Sequence, residues 1–546
     1  MSINNQSTPL KADRRAWGVC WLLFASTTLC YMDRQAIALV AVNIKSEFHI
    51  NNEMFGWVIS AFALSYALFQ VPAGFLADRY DVRRTYAIAV LAWSIAAIAM
   101  GFAPTLLILM LLRAALGVGE AFNWPCALKT TERLLPPADR SLGNGIFNSG
   151  AAVGAVLTPL IVPIVAARFG WRVAFAIVGG LGFAWLAAWV ASVRGETGRK
   201  IGRSPADDQA DTEQDRTDRY LSHKSDPDSN FPVGDSRSRL HQHLLTYSIF
   251  LIHTIVSSLI GIACYRSGLG LYAIWIAIAV FMVDLLILAA ILPRRVLAGA
   301  EWAESLGELA RNRRFLTLAI VSISVNVCWH FLINWLPSYL QQDRDWRFLI
   351  DPPVRSGWAI ERGIATVLSA LSKLIQSGGG DAASPERTIA AMLSAIPFLA
   401  ADFGNLLGGA ASRKTSRYVS SPAAARGIVM FISALLIFSA VFVVKVESAT
   451  IVLALLAITA LGAASYMANY FAFCQEVSRR HTGLVVGYLG ALGNLFAAGF
   501  HPFAGKVRDQ TGSFGLLFLI VGILPFIGVA ALGLGWGWSS GTNEST

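Results

Sequence analysis

Charge is scarce in this sequence, and that scarcity decides its class. Only 14% of the 546 residues are Asp, Glu, Lys or Arg, 55% are hydrophobic, and the mean hydropathy is +0.55. A soluble domain carries about 25% charged residues. Cysteine is also sparse. Cys20, Cys30, Cys126, Cys264, Cys328 and Cys474 lie in or beside apolar runs, and none forms a C-x-x-C or a Cys/His metal spacing. That excludes a disulfide framework and a zinc site, and leaves the thiols as packing residues. No soluble stretch is long enough to fold a catalytic domain, so no enzyme, catalytic residue, cofactor or metal is expected. The first apolar run is too long for a cleavable signal, and no small-residue cleavage site follows it. The net charge of +10 points to basic cytoplasmic loops rather than to nucleic acid.

What is present is a series of apolar runs, and the first organises the rest. Ala16 to Ala41 has the length of a membrane-spanning helix yet carries Tyr31-Met32-Asp33-Arg34. A charge at the bilayer centre costs about 3 kcal/mol on insertion scales. Neighbours on a helix do not face one another, so Asp33 and Arg34 each need another helix or a wet cavity. Two readings follow. The pair is a structural tie to a neighbouring helix, or it is a substrate or proton site.

Further runs fall near 54–77, 85–104, 106–128, 142–167 and 172–193, then 244–264 and 271–293, then 315–340, 388–411, 425–444, 448–474, 482–504 and 513–538. The chain is thus expected to be an all-α polytopic membrane protein of about 14 spans. Its parts are a six-helix bundle over 14–194, a disordered cytoplasmic linker over 195–243, two extra transmembrane helices over 244–300, a cytoplasmic amphipathic segment over 301–313, and a second six-helix bundle over 314–538. The second bundle carries an outer insertion, 341–387, in which Ile364, Val367, Leu368, Leu371, Leu374 and Ile375 recur at helical spacing.

With the N-terminus inside, the inner segments hold 29 Lys and Arg and the short outer loops hold 7. The positive-inside rule therefore places both termini in the cytoplasm. The two outer blocks of six also read as a repeat. Gly74-Phe75-Leu76-Ala77-Asp78-Arg79 ends the second span and Gly408-Gly409-Ala410-Ala411-Ser412-Arg413 ends its counterpart. Pro159 precedes Phe169-Gly170 much as Pro502 precedes Thr511-Gly512. Two such halves related along the membrane normal are an alternating-access plan.

On these residues a resemblance can be stated. Gly74-x-Leu76-Ala77-Asp78-Arg79-x-x-x-Arg83-Arg84 resembles the loop signature of the major facilitator superfamily, with Asp81 where glycine is usual. Tyr31-x-Asp33-Arg34, Tyr66-x-x-x-Gln70-x-Pro72-x-Gly74 and Gly117-x-Gly119-Glu120-Ala121-Phe122-Asn123-Trp124-Pro125 resemble its anion:cation symporter family. The run Gly145 to Ala155, Gly170-Trp171-Arg172, Trp335 to Leu340 and Ala401-Asp402-Phe403-Gly404-Asn405 are similar to the hexuronate-transporter branch. The extra spans and the outer insertion depart from the pattern.

Physically, Gly74 would let backbones approach, Asp78 would accept from a neighbouring helix N-terminus, and Arg79, Arg83 and Arg84 would anchor the cytoplasmic face; this motif concerns switching rather than substrate. Arg113 and Glu120 stand seven residues apart, about two turns and roughly 10 Å, on one face of the fourth span. Pro125 is expected to kink the span just past the carboxylate. A carboxylate at membrane depth suits a proton carrier, although a structural hydrogen bond is the alternative.

The resemblance implies that Arg34 binds a substrate carboxylate and that Asp33 and Glu120, with Arg113, couple proton movement. Tyr66, Asn148 and Asn494 are candidates for substrate hydroxyls, with Asn405 on the eighth span of a twelve-helix count. Tyr31, Gln70 and Asp402 stand behind them, and Asp402 is equally a structural cap. His330 and His501 read as satisfied polar residues, and Asp284 and His253 on the extra pair are given no transport role. The expected activity is proton-coupled import of a hexuronate or related sugar acid. It would be carried out by a monomer among membrane lipids, in the bacterial inner membrane. The alternatives are a uniporter or exchanger for a dicarboxylate or aromatic acid, and a transporter-like sensor.

Overall fold

The computed structural model describes residues 14–202, 307–343, 385–419, 421–477 and 482–536. The expected linker beyond 202, the extra spans at 244–300 and most of the outer insertion lie outside the described residues, as do Cys264, Asp284 and His253.

The described chain is helical throughout. The first half comprises α1 (Arg14–Leu39), α2 (Ala41–Glu47), α3 (Asn52–Arg79), α4 (Val82–Met100), α5 (Leu106–Glu120), α6 (Asn123–Leu134), α7 (Pro137–Phe169), α8 (Trp171–Ser192) and the short α9 (Gly195–Gly202). The second comprises α10 (Arg313–Gln342), α11 (Pro385–Leu393), α12 (Ala395–Thr415), α13 (Pro422–Phe438), α14 (Ala449–Val477), α15 (Thr482–Thr511) and α16 (Gly515–Gly535). Among the described residues ten segments are long and apolar enough to cross a membrane. The membrane-length helices that fall short are α1 and α15, and they carry Asp33 and Arg34, and His501 and Lys506.

Local signals set the helix ends. The side chains of Asn51, Asp81, Asn312 and Ser421 accept from the first backbone N–H groups of α3, α4, α10 and α13. Gly170 and Gly512, at φ 84° and 65°, end α7 and α15 in a conformation that only glycine adopts without strain. They are the two glycines that the sequence repeat pairs.

Packing repeats as well. In the first half α1 lies on α7, α3 on α5 and α4 on α8; in the second α10 lies on α15, α12 on α14 and α13 on α16. The halves meet along α3 and α15, α7 and α12, and α1 and α10.

One end of this interface is sealed. Asp509 accepts from the backbone N–H of Asn52 at 3.1 Å and of Glu53 at 2.8 Å, and from the Asn52 amide at 2.7 Å. Lys45 donates to Asn52 at 2.7 Å and to Gln342 at 2.9 Å, and Gln341 donates to the Leu39 carbonyl at 3.1 Å. Arg508 and Asp343 pair beside them at 2.5 Å. Helices α3 and α15 touch backbone to backbone here. A Cβ on Gly505 would stand 2.0 Å from the Asn52 carbonyl oxygen, and one on Gly56 would stand 2.4 Å from that of His501.

Toward the other end the halves part. Ala155 on α7 and Phe398 on α12 share a small apolar cluster with Ile333. Asn148 and Asn405 lie seven residues from them, on the same faces and toward the end that carries Arg83, and both are exposed. Gly74 also lies toward that end, with nothing among the described residues within 4 Å of where a Cβ would stand. Among the described residues, then, the backbone approach expected at Gly74 is not made.

Candidate functional site

The charged pair on α1 is resolved by a third residue. Arg34 Nε donates to Glu120 Oε2 at 2.6 Å, and the Glu120 side chain is fully buried while that of Arg34 is 17% exposed. The guanidinium lies 4.4 Å from the Tyr66 ring centroid, 5.3 Å from that of Phe62 and 5.4 Å from that of Tyr31. Three aromatic faces thus hold a cation that the helix could not hold alone. Arg113 does not bond Glu120. It is buried and stands over the other aromatic partner, 4.8 Å from the Phe62 centroid, and its Nε and Nη1 bond nothing among the described residues. Asp33 is 2% exposed, within electrostatic reach of Glu120, Arg113 and Arg34, and its Oδ1 is likewise without a partner.

At the expected kink the helical pattern is interrupted for two residues, Ala121 and Phe122, whose backbone stays right-handed helical within a single span, Leu106–Leu134. Helix α5 ends at Glu120 and α6 starts at Asn123, with Pro125 in the first turn of α6, where its missing N–H costs little. Asn123 packs against α1 and α4. Its Oδ1 accepts from Ser26 at 2.7 Å and Tyr86 at 2.6 Å, so this member of the motif is structural.

The second half supplies a different chemistry. His330 Nε2 lies 3.0 Å from Asn494 Oδ1, and Trp335 Nε1 donates to His501 Nδ1 at 3.2 Å. The two imidazole centroids are 5.6 Å apart, with Arg34 in electrostatic reach of His330 and Arg113 of His501. Gln70 packs against Gly490 one turn before Asn494, with its Oε1 unpartnered among the described residues.

The candidates therefore divide. Arg34, Glu120, Asp33, Arg113, Tyr66 and Tyr31 gather on one wall, and Asn494 and Gln70 lie at the junction with the other. Asn148 and Asn405 line the parted end instead, exposed and without a recorded bond to Arg34, and Asp402 is half-buried one turn from Asn405. The side chains of Asp78 and Arg79 lie outside the described residues.

Arg83 does not simply anchor. It pairs with Asp81 at 2.7 Å, and Asp81 also caps α4 through the Arg83 N–H at 2.9 Å. Burial would raise the Asp81 carboxyl, but the hydrogen bonds and charge of Arg83 outweigh it and hold the group below its ordinary value. Arg84 approaches the same carboxylate at 3.8 Å and is 83% exposed. The Trp171-Arg172 motif is structural too: Trp171 donates to Glu47 at 2.6 Å, and Arg172 pairs with Glu47 at 2.5 Å while binding the Gly101 and Ala103 carbonyls.

His330 and His501, which read from the sequence as satisfied polar residues, each keep one ring nitrogen without a partner among the described residues. Counting from the basic pairs Arg14-Arg15 and Arg313-Arg314, which open α1 and α10, sets His330 level with Tyr31; that repeat was the available signal.

The sequence profile of the Major Facilitator Superfamily matches residues 23–498. The chain belongs to that superfamily. Among curated relatives, the D-galactonate transporter of Escherichia coli O6:H1 is 37% identical over 180 residues, 33% of this chain and 42% of that protein. A probable sulfoacetate transporter of Cupriavidus necator is 34% identical over 176 residues, 32% of this chain and 40% of that protein. The hexuronate transporter of Escherichia coli (strain K12) is 30% identical over 181 residues, 32% of this chain and 42% of that protein. The matched stretch thus spans less than half the length of these relatives. The superfamily and these relatives are transporters, not enzymes, and the chain is an integral membrane protein. The fold is shared with a POT family transporter solved with 5-aminolevulinic acid, at TM-score 0.64 and 15% identity over 97% of this chain and 98% of that one. It is also shared with a bacterial homologue of the lysosomal transporter Spinster, at TM-score 0.54 and 18% identity over 96% and 95%.

Proposed function

We propose that this chain is a secondary active transporter of the anion:cation symporter type. It imports a small organic anion, a hexuronate or related sugar acid, with protons, by alternating access in the bacterial inner membrane. The observation that carries the reading is the Arg34–Glu120 pair at the interface between halves. A guanidinium holds a carboxylate through paired N–H donors, and here a protein carboxylate already takes one of them, Nε–H. A substrate carboxylate and Glu120 compete for one cation. When Glu120 takes a proton, Arg34 is free for the anion; when Glu120 loses it, the anion is displaced. Asp33, beside the same charges, is the second proton carrier, and Arg113 balances the charge.

The sealed end is the outer face in this scheme and the parted end the cytoplasmic one, as the excess of basic residues in the inner segments supports. Both termini are then cytoplasmic, and the extra spans at 244–300, being even in number, preserve that orientation and give about 14 spans in all. The protein works as a monomer among membrane lipids. The galactonate and hexuronate relatives support a sugar acid; the sulfoacetate relative favours the second reading, a different small organic anion.

The test is uptake into proteoliposomes across uronates, aldonates, sulfoacetate and dicarboxylates, with and without an inward proton gradient. Gradient-driven accumulation of a sugar acid is the expected result. Uptake of sulfoacetate or a dicarboxylate alone would replace the substrate class, and uptake indifferent to the gradient would remove the proton from the cycle.

A further inference from the structure

The second half offers a donor and an acceptor that nothing among the described residues uses. Trp335 Nε1 can only donate, so His501 Nδ1 must accept, and a neutral His501 then carries its proton on Nε2. The Asn494 amide is oriented by its own donation to the Gly490 carbonyl at 2.8 Å, which points Oδ1 at His330. His330 Nε2 must therefore donate, and a neutral His330 keeps a bare lone pair on Nδ1. Those two atoms, His501 Nε2–H and His330 Nδ1, are both buried without a partner among the described residues. His501 is fully buried, so an unmet donor there is costly.

We propose that His330 and His501 form a clamp for one substrate hydroxyl, which donates to His330 Nδ1 and accepts from His501 Nε2–H. This rests on the transport reading above and deepens it. The pair is the complement of an alcohol: a carboxylate oxygen would meet the lone pair of His330, and an ammonium would meet the N–H of His501. The ring centroids are 5.6 Å apart, and the proposed oxygen sits between the two nitrogens. Arg34 and Arg113 in the first half lie within electrostatic reach of the same two rings, so in this proposal the anionic end and the hydroxyl end of one small molecule are read from opposite halves. Trp335 and Asn494 act as positioning residues that fix the two tautomers. The clamp selects a hydroxy acid over a dicarboxylate.

The test uses the full chain in proteoliposomes, with D-galactonate, D-galacturonate, D-glucuronate and their monodeoxy analogues as competitors of uptake. In the wild type, one deoxy position is expected to weaken binding tenfold or more. His501→Phe and His330→Phe should lower the parent sugar acid to the level of that analogue and abolish the difference between them. His501→Asn, which restores an N–H donor, should recover part of it. Equal losses for parent and analogue in every variant would make the histidines structural and overturn the clamp. So would a wild type in which no monodeoxy analogue loses more than about threefold, a measurement that needs no variant to fold. Uptake of anions without hydroxyls and of no sugar acid would overturn the clamp and leave anion transport standing. No uptake of any organic anion would remove both.

Discussion

Arg34 on the first helix and Glu120 at the end of α5 form one buried ion pair, 2.6 Å long and roofed by the Tyr66 ring. Both readings open at the sequence level meet in it: the pair ties two helices, and it puts a protonatable group on the cation that the substrate would need. Glu120→Gln leaves a neutral amide that cannot give its proton back. Proteoliposomes carrying it are expected to exchange labelled for unlabelled anion at near wild-type rates yet to lose accumulation against a proton gradient. Normal accumulation would take Glu120 out of the proton path. Arg34→Lys is not a conservative change, since an ammonium lacks the two-pronged donor geometry; it should weaken anion binding at least tenfold, measured by competition.

Tyr66 separates the ring from the hydroxyl. Its hydroxyl was the expected sugar contact, but the structure shows its face, 4.4 Å from the guanidinium. A cation–π contact is worth about 0.5–2 kcal/mol. Tyr66→Phe keeps that face and is expected to stay within about threefold of wild-type affinity. Tyr66→Leu removes it and should lose roughly fivefold or more. A large loss in the phenylalanine variant would return the hydroxyl to the site.

The sequence showed most of the architecture because each signal was local. The apolar runs and the paired Pro-to-Gly distances in α7 and α15 depend on a few neighbouring residues, and the described helices follow them. Buried charge at Asp33 and Arg34 was legible for the same reason: a membrane helix has nowhere to hide it. Who would answer that charge was not, because Glu120 lies on another helix and the nearest basic residue on its own face, Arg113, turns to Phe62 instead. Whether Asn148 and Asn405 stand beside Arg34 was not legible, because it depends on which end of the interface is parted, and a sequence does not say that. The histidines read as satisfied because a half-satisfied imidazole looks like a satisfied one until both of its nitrogens are followed.

Asp509 ties the sealed end to a helix start. The first three backbone N–H groups of α3 are met by Asp509, Asp509 and Asn51, so the α3 terminus is completed only when the second half is docked against it. A carboxylate at a helix N-terminus is stabilising, and losing such a cap costs about 1 kcal/mol. Asp509→Ala is expected to shift the population toward parting at this end by roughly fivefold, read as longer distances between spin labels at Ser46→Cys and Gln510→Cys. Asn51→Ala, whose bond lies within the first half, should lower thermal stability without that shift. Gly505→Ala should part the end outright, since its Cβ would stand 2.0 Å from the Asn52 carbonyl oxygen. Unchanged distances in both interface variants would mean that other contacts hold the seal.

Lys45 makes the same seal depend on pH. Burial of its ammonium, with Arg508 adding repulsion, outweighs the attraction of Asp509 and Asp343 and lowers it from 10.5 to about 8. Parting the seal would return Lys45 to water and toward its ordinary value. Between about pH 8 and 10.5 the parted form then binds a proton that the sealed form does not, so raising pH through that window favours the sealed form. Below pH 8 both forms carry the proton and the dependence vanishes. The neutral amine still has two N–H groups for its two acceptors, Asn52 and Gln342, so deprotonation sacrifices neither bond. The Ser46→Cys and Gln510→Cys labels are expected to draw together as pH rises through this window, and Lys45→Gln, which cannot titrate, should flatten the response. The same slope in the glutamine variant would assign the titration to another group.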